Sequence, residues 1–419
     1  MRDIFLRRQP IFTRRLEVWG YEIVAGRFGL LERESPSLPQ TGPLPAVPVS
    51  SVQVVTEEAR LLLDALTEIG LPALVGKAPA VFRLAPQAAL ALQDVLPALL
   101  SPDRLILLLV VEHETDQAQL EAALAALRTH GFRIGLSGCL AVPEFLSLAR
   151  TVDLVAVSAR DRTLEELAAL VTGLRAGRAQ ILVTDIEDYE TFDRCRELRV
   201  AFFSGSFLAV PRPVRGSRTP SNRALLLLLA RLQDPEVEFS ELEALISLDV
   251  GLTYRLLRLV NSVWYGRRRI ESIRQALLLL GTRLVSAWVT LLLMADIPDK
   301  PHELLTTAVI RARMAELLAA ARGRASRESA FLVGLLSVLD ALLDQPREEI
   351  LAALPLAEEL EHALASREGE LGAILEAVLA YERGDWARAA SLGLRPSLLT
   401  SSYLDALALA REIDLALAA

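Results

Sequence analysis

The chain of 419 residues is longer than one hydrophobic core usually supports, so it predicts two domains of about 200 residues each. Hydrophobic residues make up 52% of the sequence, which excludes a broadly disordered protein. The formal net charge of −8 excludes a general nucleic-acid binder, because such a protein needs a cationic face.

The two cysteines, Cys139 and Cys195, lie far apart and form no CxxC pair. Their number fits a reducing compartment and gives neither a disulfide framework nor a zinc cluster. The N-terminal residues carry charges throughout and contain no apolar signal core. The sequence therefore predicts a cytoplasmic protein.

The first part of the chain predicts alternating strands and helices. Residues 5–12 and 16–24 predict a β-hairpin. A proline-rich insertion at residues 35–49 follows, and its five prolines forbid regular structure. A helix is predicted at residues 55–68 and a short strand at residues 80–84.

The next residues alternate short apolar runs with amphipathic segments. Residues 105–111 form a continuous apolar run, which is typical of a buried parallel strand. Further strands are predicted at residues 132–136, 154–157, 181–183 and 200–203, and helices at residues 117–130, 142–150, 163–176 and 189–198. Repeated βα units over about 200 residues indicate either a parallel barrel or a doubly wound sheet.

The pattern changes at residues 211–222, which are rich in proline, serine and arginine. Beyond this linker almost every segment predicts a helix, apart from a turn at residues 340–345. The most apolar run, residues 276–297, carries Arg283 in its middle, so it predicts a buried helix pair and not a membrane span. We therefore expect an α/β domain at residues 1–212 and an all-helical domain at residues 213–419.

The first domain contains three motifs, at residues 8–12 (Arg-Gln-Pro-Ile-Phe), 20–24 (Gly-Tyr-Glu-Ile-Val) and 131–136 (Gly-Phe-Arg-Ile-Gly-Leu). In this order they resemble the opening, the Glu-Ala-Leu signature and the strand that ends in an aspartate pair of the EAL domain. The EAL domain is a barrel that hydrolyses cyclic di-GMP with two divalent cations. The resemblance implies an EAL-type (β/α) TIM-like barrel.

Most functional positions of the EAL domain hold other residue types in this chain. The phosphate-binding arginine falls at Gly26. Arg83 stands at the position of the metal-binding asparagine, and Leu109 at that of a glutamate. Ser137 and Gly138 stand at the aspartate pair, and Ala156 and Ser158 at the catalytic lysine and its companion aspartate. Thr184 stands at the late glutamate, and Ser204 at the final glutamine. The acidic residues that remain are Glu22, Glu112 and Glu187.

This replacement predicts a barrel without metal chemistry. One carboxylate cannot hold two divalent cations, and Arg83 places a positive charge in the former site. We predict no catalytic residue, no bound metal and no cofactor, so that the protein is not an enzyme. Glu22 is expected to be a structural group paired with an arginine. Glu22, Arg83, Glu112 and Glu187 remain candidate ligand contacts.

In the second domain, an apolar helical segment at residues 256–266 (Leu-Leu-Arg-Leu-Val-Asn-Ser-Val-Trp-Tyr-Gly) is followed by a second one at residues 270–281. The two segments resemble the signature of the HDOD domain, a helical relative of the HD phosphohydrolases. The metal-binding His-Asp pair of HD enzymes falls at Ser337 and Val338, and the domain contains only His302 and His362. The resemblance therefore implies a helical packing module without metal-hydrolase activity.

The same segment suggests both helix-end residues and a contact surface. Asn261 and Gly266 are expected to serve the ends of helices. An aromatic pair precedes a basic turn, and the residues are Trp264, Tyr265, Arg267, Arg268 and Arg269. They form either a contact patch for another protein, or a buried aromatic pair beside a solvated turn. Trp386 is expected to pack the last helices together.

Together the two resemblances indicate a bacterial signalling protein of the EAL–HDOD type. We predict a catalytically inactive protein that acts through protein–protein interaction in a cyclic di-GMP-related pathway. The alternative is a receptor that binds cyclic di-GMP, or another nucleotide or anion, at the barrel mouth through Arg83 and without hydrolysis. A homodimer is a third alternative, and neither nucleic acid nor a membrane is an expected partner.

Overall fold

The computed structural model describes residues 4–27, 69–99, 102–112, 114–138, 147–160, 162–175, 177–212, 220–234, 236–263, 269–298, 300–323, 325–391 and 393–418. The proline-rich insertion at residues 35–49 and the helix predicted at residues 55–68 lie outside these ranges. The chain divides into two compact units, Met1–Phe207 and Leu208–Ala419. Their boundary lies near the one expected between residues 212 and 213.

The first unit contains a closed barrel of eight strands. They are β1 (Ile4–Phe12), β2 (Val18–Arg27), β3 (Ala80–Leu84), β4 (Leu105–Val111), β5 (Arg133–Gly138), β6 (Leu154–Ser158), β7 (Gln180–Ile186) and β8 (Phe202–Gly205). Strand β1 runs antiparallel to both β2 and β8, and the other neighbouring pairs are parallel. The predicted hairpin and barrel are therefore confirmed, and the doubly wound sheet is excluded.

Six helices accompany the strands within the described part of the first unit: α1 (Leu71–Val75), α2 (Pro86–Leu92), α3 (Leu96–Leu99), α4 (Gln117–Thr129), α5 (Leu164–Leu174) and α6 (Tyr189–Glu197). Local sequence fixes where the longer ones begin. Asp116 and Asp188 accept hydrogen bonds from the first-turn amides of α4 and α6. Thr163 and Glu166 form a capping box at the start of α5.

The barrel interior is a layer of apolar side chains, contributed by Ile11, Val81, Ile106, Leu108, Leu154, Ala156, Leu182 and Phe202. Gly135 provides room in this layer, because a Cβ atom there would lie 2.4 Å from Leu108 Cδ2 and 2.5 Å from the Leu154 carbonyl oxygen. Both contacts are shorter than real Cβ atoms make. The interior is thus a packed core, and polar chemistry is left to the ends of the strands.

The described part of the second unit is helical: α7 (Pro220–Gln233), α8 (Phe239–Ser247), α9 (Val250–Val263), α10 (Ile273–Leu280), α11 (Thr282–Ala295), α12 (His302–Arg322), α13 (Arg327–Leu336), α14 (Leu339–Leu343), α15 (Arg347–Ala353), α16 (Glu358–Ala365), α17 (Gly369–Arg383), α18 (Trp386–Ser391) and α19 (Pro396–Ala418). Helix α12 packs against α13, α17 and α19. Trp386 is buried and stands edge-on to Tyr381, as expected of a residue that packs the last helices.

Two predictions for the second unit have opposite outcomes. The apolar run at residues 276–297 forms the expected helix pair, α10 and α11, separated at Gly281, and most side chains of α11 are buried. The turn predicted at residues 340–345 is wrong, because Leu339–Leu343 forms the short helix α14. The Asp340 carboxylate accepts a hydrogen bond from the Ala341 amide at 2.9 Å within the first turn of this helix.

Among the described residues, no single helix has both the length and the apolar composition needed to cross a membrane. One bent pair, Arg327–Leu343 with Arg347–Ala353, meets the criterion jointly, with 117° between its two parts.

Candidate ligand site at the barrel mouth

Strands β2 to β8 end at one edge of the barrel, which we call the barrel mouth. Successive side chains of a strand point to opposite faces, so the residue two positions after an interior residue faces the interior again. Arg83 follows Val81, Ser158 follows Ala156, and Thr184 follows Leu182 in this way. Ser137 is in register with Ala156, and Ser204 follows Phe202. The mouth therefore presents one arginine and four hydroxyl groups.

Glu22 and Arg83 form the central ion pair of the mouth. Glu22 on β2 is only 6% exposed. Arg83 on the neighbouring strand donates from Nε to Glu22 Oε1 at 2.5 Å and from Nη2 to Oε2 at 3.3 Å. This two-pronged geometry is the one that a guanidinium and a carboxylate prefer. Both carboxylate oxygens of Glu22 are therefore engaged by the guanidinium group of Arg83.

Arg7 and Gln9 also belong to the mouth. Because β1 is antiparallel, its first residues lie at this edge, and Gln9 and Arg7 are in register with Glu22 and Val24. Arg7 Nη1 donates to Gln9 Oε1 at 2.6 Å. Sequence reasoning missed both residues as site candidates. The alternation of side chains backwards from the interior residue Ile11 was the signal that could have found them.

A second polar group surrounds Asp185, which sequence reasoning also missed. The Asp185 carboxylate accepts hydrogen bonds from Ser158 Oγ at 2.6 Å and from Thr184 Oγ1 at 3.1 Å. Arg160 Nη2 lies 3.6 Å from Asp185 Oδ1. Asp185 has a φ of 58°, a left-handed conformation that non-glycine residues rarely adopt and that is found more often at functional sites.

The remaining candidate residues are not brought into one cluster. Glu112 and Glu187 are exposed at the ends of β4 and β7. Ser137 is buried, and its hydroxyl has no hydrogen-bond partner among the described residues. Trp264, Tyr265, Arg267 and Arg268 lie outside the described residues, and Arg269 is exposed.

The donor set of the mouth does not fit a centre of two divalent cations. Such a centre needs several anionic or carbonyl oxygens. Glu22 is engaged by Arg83, and the positions of the other acids hold Leu109, Gly138 and the hydroxyl residues Ser137, Ser158 and Thr184. In the part of the chain that the structure describes, no group of three or more His, Cys, Asp or Glu residues is arranged to hold a metal.

The chain is similar to known proteins in both of its halves. Residues 220–381 match the HDOD domain. The chain is 32% identical over 270 residues to the cyclic di-GMP phosphodiesterase CdgJ of Vibrio cholerae, covering 63% of this chain and 62% of that protein. It is 25% identical over 418 residues to the protein YuxH of Bacillus subtilis, covering 96% and 97% of the two chains. The chain thus spans less than two thirds of CdgJ.

Solved structures give a looser likeness. The complex of BlrP1 from Klebsiella pneumoniae with calcium and cyclic di-GMP is 17% identical, with a TM-score of 0.37 over 49% of this chain and 54% of that one. The complex of the phosphodiesterase PaMucR with cyclic di-GMP is 16% identical, with a TM-score of 0.39 over 51% and 98%.

These findings show a closed barrel of eight strands, followed in sequence by an all-helical unit that carries an HDOD domain at residues 220–381. The fold expected from the sequence is confirmed. The prediction that the chain is not an enzyme is contradicted by CdgJ, a relative that is named as a phosphodiesterase. That prediction rested on the replaced metal-ligand positions of the barrel mouth and of the helical domain, and their replacement does not establish a loss of activity.

Proposed function

We propose that the protein is a signalling component of a cyclic di-GMP pathway whose barrel mouth binds an anionic ligand, with cyclic di-GMP as the first candidate. The observation that carries this proposal is the pair of arginines, Arg7 and Arg83, on the interior face beside one buried carboxylate, Glu22. The name of the relative CdgJ supports cyclic di-GMP as the ligand to test.

The chemistry of the mouth suits a phosphate diester. Arg83 is bound to Glu22 on one side and exposed on the other, so a ligand can reach the guanidinium without breaking the ion pair. Hydroxyl groups can donate to phosphate oxygens or to the edges of bases. The buried hydroxyl of Ser137 would gain the partner that the described residues do not give it.

The proposal is tested by calorimetric titration of cyclic di-GMP into the full chain, once with calcium and once with a chelator. Removing Arg83 alone would leave Glu22 buried and unpaired, so the informative variant is Glu22→Gln/Arg83→Ala, which removes both charges. We expect saturable binding by the parent and at least about tenfold weaker binding by the double variant. Product analysis of the same mixtures with magnesium or manganese measures hydrolysis.

Arg178→Ala is the matched control, because exposed Arg178 precedes β7 and lies at the opposite end of the barrel. Absence of binding heat in the parent under both conditions would refute the proposal. Equal affinity of the parent and the double variant would refute the role of the mouth.

A second candidate function is protein–protein interaction through the HDOD domain, beginning with a second copy of the chain. Among the described residues, seven of the ten large hydrophobic side chains that are exposed lie between Leu227 and Leu279, and they are Leu227, Leu228, Leu248, Val250, Tyr254, Leu278 and Leu279. Concentrations of exposed apolar residues mark interaction sites more often than isolated ones do.

Light scattering over a range of protein concentrations tests this candidate. We expect a dimer, which Val250→Glu/Tyr254→Glu converts to a monomer because each charge would be buried on association. Leu415→Glu is the matched control, since Leu415 is equally exposed on α19. A monomeric parent at all concentrations would exclude self-association.

A further inference from the structure

Strand β7 contains a bulge where it reaches the barrel mouth. Its pairing with β8 shifts register between Val183 and Ile186, where two residues of β7, Thr184 and Asp185, stand opposite one residue of β8. Gly205 on β8 permits this close approach, because a Cβ atom there would collide with the Ile186 carbonyl oxygen. Bulges are frequent beside functional sites, where they re-aim a side chain.

The side chain that this bulge re-aims is that of Asp185. In an unbroken strand it would point away from the interior, because Leu182 faces inward and successive side chains alternate. The left-handed backbone, with a φ of 58°, turns it towards the mouth instead. There the hydroxyl groups of Ser158 and Thr184 both donate to Asp185 Oδ2, at 2.6 and 3.1 Å. Two neutral donors therefore hold the carboxylate at the mouth.

One oxygen of the Asp185 carboxylate remains available to a ligand. A carboxylate has about four lone-pair positions, and the two hydroxyl groups fill those of Oδ2. Among the described residues, Oδ1 faces Arg160, whose Nη2 lies 3.6 Å away and thus beyond hydrogen-bond distance. The Arg160 side chain is 62% exposed, and exposed ion pairs are weak. A ligand that donates hydrogen bonds can therefore take its place.

Asp185 and Arg83 stand on opposite sides of the mouth. In the closed barrel, β4, β5 and β6 separate β3 from β7 in one direction, and β8, β1 and β2 separate them in the other. The part of a ligand that contacts Asp185 is therefore not the phosphate group that Arg83 would bind. A carboxylate also repels a phosphate. The ligand must carry hydrogen-bond donors on a group that lies away from its phosphate.

We propose that Asp185 binds a guanine base and so selects guanine over adenine, a role that rests on the proposed binding of a cyclic dinucleotide at the barrel mouth. The Watson–Crick edge of guanine carries two adjacent donors, N1–H and N2–H, which match the lone pairs of Oδ1. Adenine offers one donor and one acceptor nitrogen at this edge, and the acceptor would face the negative charge. A site built to accept from a ligand N–H discriminates against a ligand that lacks it.

The test compares cyclic di-GMP with cyclic di-AMP, each titrated calorimetrically into the full chain, once with calcium and once with a chelator. We expect the parent to bind cyclic di-GMP at least about tenfold more tightly than cyclic di-AMP. Asp185→Asn keeps a residue that tolerates the left-handed backbone, and its amide oxygen can still accept from the two hydroxyl groups. Its amino group then replaces Oδ1, so cyclic di-GMP should bind at least about tenfold more weakly and cyclic di-AMP at least as tightly as before.

Two further variants isolate the contribution of the carboxylate. Asp103→Asn is the matched control, because exposed Asp103 precedes β4 and lies at the end of the barrel opposite the mouth. It should bind both nucleotides as the parent does. Arg160→Ala frees Oδ1 without altering the bulge, so the preference for cyclic di-GMP should persist. A preference lost in Arg160→Ala would assign the discrimination to the arginine and overturn the role of Asp185.

Failure of this role is distinguishable from failure of the proposed function. Equal affinities of the parent for the two nucleotides, or an unchanged preference in Asp185→Asn, would overturn guanine recognition by Asp185. Binding at the mouth would then still stand, provided that Glu22→Gln/Arg83→Ala weakens it. Absence of binding of either nucleotide by the parent would overturn the proposed function and the role of Asp185 together.

Discussion

Glu22 illustrates how a retained signature residue can change its task. A carboxylate that is almost fully buried needs a counter-charge, and in this barrel Arg83 supplies it from the neighbouring strand. The sequence could indicate that Glu22 had lost its acidic neighbours, and that an arginine would pair with it. It could not indicate which one, because the register of β2 and β3 decides that Arg83 reaches Glu22 across 61 residues of chain.

His302 gives a prediction at the residue scale. Its Nε2 lies 3.0 Å from Asp414 Oδ1, which joins the start of α12 to α19. This hydrogen bond, together with the charges of Asp414 and Glu303, raises the pKa of His302 against the opposing effect of burial. A raised pKa in the folded state contributes stability that is complete below the unfolded-state value near 6.5 and is lost as the pH rises through the folded-state value.

We therefore expect the urea midpoint of the parent to fall between about pH 6 and 8 by more than that of Asp414→Asn, which lacks the charge partner. His362→Gln is the control, since exposed His362 is not in this contact. Parallel pH profiles of the parent and Asp414→Asn would show that the ion pair does not stabilise the fold.

At the scale of elements, Asn261 joins two parts of the HDOD signature. Its Nδ2 donates to the carbonyl oxygens of Leu257 and Ile270, each at 2.7 Å, and its Oδ1 accepts from the Ile270 amide at 2.8 Å. The sequence suggested a role at a helix end. The structure shows that one amide side chain satisfies both backbone groups of Ile270, a residue that is 1% exposed just before α10.

Asn261→Ala is expected to lower the free energy of unfolding by about 1–3 kcal/mol, because it leaves a buried backbone donor and a buried acceptor without partners. The measurement is urea unfolding followed by circular dichroism. Ser262→Ala, at the exposed neighbouring position, should change it by less than about 0.5 kcal/mol. A similar small effect for both variants would contradict the structural role of Asn261.

Elements were predictable where the pattern was local. The apolar run at residues 105–111 is the strand Leu105–Val111, and the helix predicted at residues 163–176 is Leu164–Leu174 with its capping box. Helix α14 was missed because it has only five residues, too few to show a periodic pattern of apolar residues. Its stability comes from burial and from Asp340.

At the scale of the whole molecule, the fold was predictable and the sites were only partly so. Alternating strands and helices followed by helices alone were sufficient for the two-domain organisation. The set of barrel-mouth residues predicted from the sequence was incomplete, because it is the pairing of the strands that brings Arg7, Gln9 and Asp185 to the mouth.

The antiparallel first strand also has a consequence for the order of events during synthesis. Phe12 pairs with Phe203, and Ser204 Oγ donates to the Pro10 carbonyl oxygen at 2.9 Å across 194 residues. The ring cannot close until β8 has left the ribosome, although β1 emerges well before it. Contacts between such distant segments form slowly. The nascent barrel must therefore remain open, with an unpaired strand edge, through almost the whole translation of its own domain.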